Sequence, residues 1–329
     1  MAELMGGGLN EYGGYKLPDD QMMNPERFRR NIAQLPAELQ DPKSWPIEMQ
    51  REIGDDWGTT AAAIHREKVV ESFRVLRKEI DDFKPDAILI WSKEQLENFG
   101  PDAMPPFCIY AYDDFKIKRF EDTEMDVHIH RQAAKHLAAK LTESGFDVAY
   151  SYKPLHIQLA HTFAGLITYL NWDKQGLPYP IIPFYVNSFG HWHLTRDGYS
   201  RPDELDVPPP PPWRCFDLGA ATARILKDSP WRVVILAGSS WSHASYMKKT
   251  SFLWPDVDFD RALFADLKTG NYKAWRNLDR EALWGAGNQE FMSWVCLAGA
   301  LDEAGLKPVY LESAETWIFN STKVTAVFK

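Results

Sequence analysis

Cysteine is scarce in this chain. Cys108, Cys215 and Cys296 are the only three in 329 residues, they stand far apart, and none belongs to a CxxC pair. That spacing excludes a disulfide frame and a thiolate zinc site, and leaves the three as reduced packing residues. Basic charge is in deficit too: 37 Lys and Arg against 46 Asp and Glu give a net charge of −9. Binding to a phosphate backbone is driven by an excess of Lys and Arg, so nucleic acid is not an expected partner. No apolar stretch reaches the roughly 18 residues that a membrane span needs, and no charged-then-apolar leader opens the chain. A cytoplasmic protein is the expectation. No GxGxxG opens a helix, and neither a P-loop motif nor a GxSxG elbow occurs, so dinucleotide, P-loop and α/β-hydrolase chemistry lack their usual signals.

What the chain has is apolar and aromatic mass. With 45% hydrophobic and 13% aromatic residues it can bury a large core, as one large domain or two ordinary ones. The run Ala87-Ile88-Leu89-Ile90-Trp91 is too short for a buried helix and too continuous for a half-exposed strand. It reads as a strand covered on both faces. Lys93, Glu94, Gln95, Glu97 and Asn98 follow at its carboxyl end, where ligands bind in open α/β sheets. Before it, Ile64, Val69, Val70, Phe73, Leu76 and Ile80 recur at helical spacing. The same reasoning predicts strands at 1–9, 108–112, 146–150, 179–186, 231–237, 308–310, 317–319 and 324–328. Helices are expected at 126–144, 159–170, 214–226, 259–267, 272–275 and 289–304. Five consecutive prolines from Pro208 to Pro212 read as a stiff spacer. Alternating strands and helices, with no repeat and no convincing linker, predict a single α/β domain over 1–329: a central mostly parallel or mixed sheet flanked by helices.

The nine histidines are the informative polar set, because they serve as metal ligands or as acid and base near neutral pH. His128 and His130 form an HxH pair at an expected helix start, where both read as solvated. His191 and His193 form a second pair in a loop, where backbone freedom helps metal capture, with no third ligand evident nearby. His136 falls mid-helix among Ala133, Leu137 and Leu141. His161 stands at a transition into a helix, and His243 follows Ser240-Trp241-Ser242 at a strand end. A general base must reach its proton within hydrogen-bond distance, which spacing alone does not show.

The loop after the apolar strand carries a resemblance. Asn98-Phe99 and Asp102-Ala103-Met104-Pro105-Pro106-Phe107 resemble a conserved element of the class III extradiol ring-cleavage dioxygenases, the protocatechuate 4,5-dioxygenase superfamily. Residues 159–170, 181–187, 212–219 and 238–243 look like further landmarks in the family's order. The resemblance implies that superfamily's α/β fold, a small aromatic or phenolic substrate, a homodimer or larger assembly, and Fe(II) held by two histidines and a glutamate. It places the pocket acid–base histidine on His161 and a second pocket histidine on His136, with His243 in the pocket as well. The three iron-ligand positions fall on Glu11, Gln95 and, at or close to it, Lys248. A protonated lysine does not ligate, so the implied site has lost most of its Fe(II) affinity. In that case Lys248 pairs with Glu11 and bonds Gln95, a fixed cation replacing the metal's charge. The alternatives are an Fe(II) dioxygenase that uses other ligands, such as His191, His193 or His243, and a non-catalytic partner subunit.

Overall fold

In the computed structural model, residues 2–9, 32–100, 102–119, 123–190 and 207–329 are described. Ten strands run in chain order: β1 (Leu4–Leu9), β2 (Ala87–Ser92), β3 (Phe107–Tyr110), β4 (Phe115–Arg119), β5 (Thr123–Val127), β6 (Ala149–Ser151), β7 (Ile181–Val186), β8 (Val233–Gly238), β9 (Pro308–Ala314) and β10 (Lys323–Phe328). Eight of them make one mixed sheet in the order β6-β3-β7-β2-β8-β1-β10-β9, and β4 and β5 form a separate antiparallel pair. The parallel β7, β2, β8 and β1 form its centre, and the antiparallel β10 and β9 close one side.

The centre is apolar on both faces because helices cover both. Every residue of β2, β7, β8 and β10 is buried. Along β2 the faces alternate with the two-residue period of a strand: Ala87, Leu89 and Trp91 enter one core, Ile88 and Ile90 the other. The second core is covered by α2 (Thr59–Phe83) and α4 (His161–Leu170), the first by α3 (Arg131–Glu143), α5 (Pro212–Lys227) and α9 (Met292–Ala304). Shorter helices complete the count: α1 (Ile47–Ile53), α6 (Val257–Thr269), α7 (Tyr272–Arg276) and α8 (Arg280–Gly285).

Close packing explains the glycines that matter. A Cβ at Gly219 would lie 1.8 Å from the Cys296 carbonyl oxygen, and one at Gly299 would lie 1.9 Å from that of Phe216. α5 and α9 therefore touch backbone to backbone, which only residues without a side chain allow. All three cysteines are free and buried, as expected of packing residues.

Two expectations change. The segment at 126–130 is not helical: β5 runs to Val127, and His130 caps α3 by accepting a 3.2 Å bond from the Ala133 N–H. Asp114 draws this segment away from helix, taking His128 Nδ1 at 2.8 Å and the Ile129 N–H at 2.9 Å. The aromatic cluster at 317–319 is not a strand either. Its backbone is taken up by side chains, Trp317 N–H by Glu52 and the N–H groups of Ile318 and Phe319 by Thr316 Oγ1. No helix among the described residues is long and apolar enough to cross a membrane.

The register sets up the site. Gly238 on β8 lies level with Ser92 on β2 and with Leu9 on β1, so the segments that follow β2 and β8 leave the sheet side by side. The Ser92 hydroxyl donates to the Gly238 carbonyl and ties these two exits together.

Candidate active site

Beyond Ser92 the chain turns back on itself around a carboxylate. Glu94 is buried and accepts the N–H groups of Asn98 at 2.7 Å and Phe99 at 2.6 Å, closing residues 94–99 into a tight loop. Burial pushes the Glu94 carboxyl up to about 7, although the two backbone bonds pull the other way. Leu96, at φ 56°, occupies the left-handed turn this closure requires. Asn98 reaches outward from the loop, its Oδ1 accepting the N–H groups of His156 and Ile157 at 3.1 Å each. Thr162 donates its hydroxyl to the Lys93 carbonyl. The first turn of α4 is thereby clamped to the end of β2.

This clamp sets three side chains in a row. His161, the first residue of α4, gives its backbone N–H to Glu97 at 3.0 Å, and its Nδ1 lies 2.6 Å from Glu97 Oε2. Burial alone would raise the Glu97 carboxyl, but the bond and charge of His161 hold it below its ordinary value. The other ring nitrogen, Nε2, lies 3.3 Å from Lys93 Nζ. With Nδ1–H donated to a carboxylate, Nε2 carries the lone pair, the tautomer a general base needs.

Lys93 is 2% exposed, and its ammonium pairs at 2.8 Å with Glu290 Oε1, whose side chain is 1% exposed. Glu290 arrives from the far end of the chain, on the short turn that opens α9. Its Oε1 also accepts from Tyr246 Oη at 2.9 Å and Gln95 Nε2 at 3.3 Å, and its Oε2 from the Ser240 N–H at 3.2 Å. Burial pushes the Glu290 carboxyl upward, but the charges of Lys93 and His243 and the bonds from Lys93 and Tyr246 outweigh it. The carboxyl is held at about 2. His243 stacks on Tyr246 at 4.5 Å, with Nδ1 2.6 Å from Ser245 Oγ and Nε2 3.1 Å from Asn320 Nδ2. Desolvation lowers His243 to about 4, so its ring is neutral at neutral pH.

Of the residues singled out in the sequence, His161 and Gln95 meet in this cluster and His243 borders it through Tyr246. His136 does not reach it. It packs edge-on against Trp231 at 5.5 Å, and Trp231 precedes β8, at the opposite end of the strand from Gly238. Lys248 does not supply the buried cation either, for it lies exposed on a turn while Lys93 fills that role. Glu11, His191 and His193 lie outside the described residues. Reading the sequence singled out neither Lys93 nor Glu97 for a role beyond that of polar loop residues, and it missed Tyr246 and Glu290 altogether. Glu290 has no signal at all: it is one acid ahead of an apolar helix, and only the fold brings it to β2.

The Fe(II) that the resemblance implies does not fit the described residues. No group of three or more His, Cys, Asp and Glu side chains among them is arranged to hold a metal. The central acid, Glu290, is already neutralised by an ammonium, and Gln95 turns N–H donors toward it. A cation beside Glu290 opposes a second cation there.

Comparison with known proteins agrees with the architecture. Residues 204–327 match the family model described as the catalytic LigB subunit of aromatic ring-opening dioxygenase. The match covers less than half of the chain. The matched stretch includes β8, His243, Tyr246 and Glu290, whereas Lys93, Glu97 and His161 precede it. Among curated relatives, the 2,3-dihydroxyphenylpropionate/2,3-dihydroxicinnamic acid 1,2-dioxygenase of Photorhabdus laumondii is 26% identical over 194 residues, 58% of this chain and 53% of that one. A second so named from Pseudomonas putida is 27% identical over 180 residues, 54% and 49% of the two chains. The chain thus spans about half the length of these two. The Paraburkholderia phymatum relative of the same name is 26% identical over 260 residues, 70% of this chain and 80% of its own. The chain is thus similar to aromatic ring-opening dioxygenases over these stretches.

Proposed function

We propose that this protein is an enzyme acting on a small aromatic substrate that bears a phenolic hydroxyl, with His161 as its acid and base. The observation that carries this reading is the row Glu97, His161, Lys93 at the carboxyl end of β2. A substrate hydroxyl placed against Nε2 gives up its proton there, breaking the O–H bond and forming an N–H bond. The imidazolium that results keeps its Nδ1–H on the Glu97 carboxylate, which stabilises it and fixes the ring. The curated relatives are named for aromatic acids with two adjacent hydroxyls, and that chemistry supplies the substrate class proposed for this chain. A cytoplasmic location and a homodimer or larger assembly are part of the same proposal.

Anaerobic and aerobic incubation with 2,3-dihydroxyphenylpropionate and simpler catechols, with and without added Fe(II), tests the reading. Replacing a general base costs about 10²–10⁴ in rate, so His161→Ala should lose at least two orders of magnitude of any turnover found. A His161→Ala protein as active as wild type contradicts the assignment. Turnover that appears only with added Fe(II) contradicts iron-independent chemistry.

A further inference from the structure

We infer that Lys93 is the fixed cation that binds the substrate's ionised oxygen, in the role that the family's fold implies for a metal. This rests on the reading of a phenolic substrate given above. A lysine ammonium carries three N–H donors. Two have acceptors, Glu290 Oε1 at 2.8 Å and His161 Nε2 at 3.3 Å, and the third has none among the described residues. A hydroxyl oxygen settling about 3 Å from both Nζ and Nε2 would accept from the ammonium in place of Nε2 and give its own proton to the imidazole lone pair so freed. The side chain of His161 is 29% exposed and that of Glu97 23%, so the row is open to a ligand from the histidine side.

The charges around this point are matched for that event. Before transfer, Lys93 is balanced by Glu290, and neutral His243 adds nothing. On transfer, the new phenolate meets the Lys93 ammonium and the new imidazolium meets Glu97. The new imidazolium also stands 3.3 Å from the Lys93 ammonium, and the phenolate seated between the two cations, with Glu97 and Glu290 behind them, offsets that repulsion. Glu290 acts on substrate only through Lys93, so it is a positioning residue: with bonds from Lys93, Gln95, Tyr246 and Ser240 it is the anchor of the cation.

The test uses a chromogenic catechol, 4-nitrocatechol, titrated anaerobically into full-length, chelator-treated protein whose iron content is measured in the same sample. An opposite charge within about 4–6 Å lowers an acid's pKa by about 1–3 units, so the bound probe should ionise that far below its free value with no iron present. Because Lys93→Met alone leaves Glu290 buried and unpaired, the charge-neutral double variant Lys93→Met/Glu290→Gln is the decisive protein. Neutral probe should still bind it, detected by ligand NMR, with the lowered ionisation gone. An equal lowering in the double variant, or one that appears in wild type only after Fe(II) is added, overturns the role of Lys93 and leaves the phenolic substrate standing. No binding of probe in either form overturns both.

Discussion

Glu290 and Asp260 are 1% and 2% exposed, and they flank the same two segments, yet their charges are opposite in fate. Glu290 takes the Ser240 N–H and faces the Lys93 ammonium, which offsets the cost of burial and holds it at about 2. Asp260 takes the Ser242 N–H at 3.0 Å and Asn288 Nδ2 at 3.2 Å, and burial pushes it up to about 7 although these bonds and the charge of Lys323 pull the other way. Burial alone therefore does not make a charged site; a buried partner of opposite sign does. Only the Glu290 side of this pair offers a persistent charge at neutral pH, and that is where His161 lies.

The difference is open to attack from several sides. Removing the cation has the largest expected effect: Lys93→Met strands Glu290 and should cost about 3–5 kcal/mol of stability in denaturant unfolding. Adding Glu290→Gln should return most of that loss, and if it does not, the pair is not the unit described. Next in size are opposite pH slopes. Glu290, lowered from 4.5 to about 2, contributes stability above about 4.5 that is lost as pH falls toward 2. Asp260, raised from 3.8 to about 7, lowers stability as pH rises from about 4 through 7. Unfolding followed between pH 3 and 8 should therefore show Glu290→Gln flattening the acid limb and Asp260→Asn flattening the neutral limb, and interchange of the two effects refutes the comparison. The smallest effect belongs to exposed Lys248: Lys248→Ala should change stability by no more than about 0.5 kcal/mol and leave binding of 4-nitrocatechol untouched. A large loss there restores the cation role to that lysine.

How much of this was legible in the sequence depends on how local the cause is. β2 was readable because both its faces are covered, so the run at 87–91 is apolar without alternation. The helices at 59–83 and 212–227 show their spacing for the same reason. β4 and β5 were not seen, because half of the side chains in the two-stranded ribbon Phe115–Arg119 with Thr123–Val127 are charged and the apolar signal is weak. His161 was identified by resemblance, and its place beside Glu97 agrees with an acid–base role. Lys93 lay in the loop that the sequence marked, but its burial depends on Glu290, which is remote in the chain and joins it only through α9 packing under β8. His136 misled because position along a helix does not tell which end of the sheet the helix side chain reaches; Trp231 fixes it at the wrong one.

The most direct measurement is a crystal structure of the full-length protein, grown anaerobically without chelator, with a catechol bound. The account predicts a catechol oxygen about 3 Å from both Lys93 Nζ and His161 Nε2, with the Lys93 to Glu290 pair intact. A catechol chelating a metal ion, with Lys93 turned away from Glu290, would contradict it.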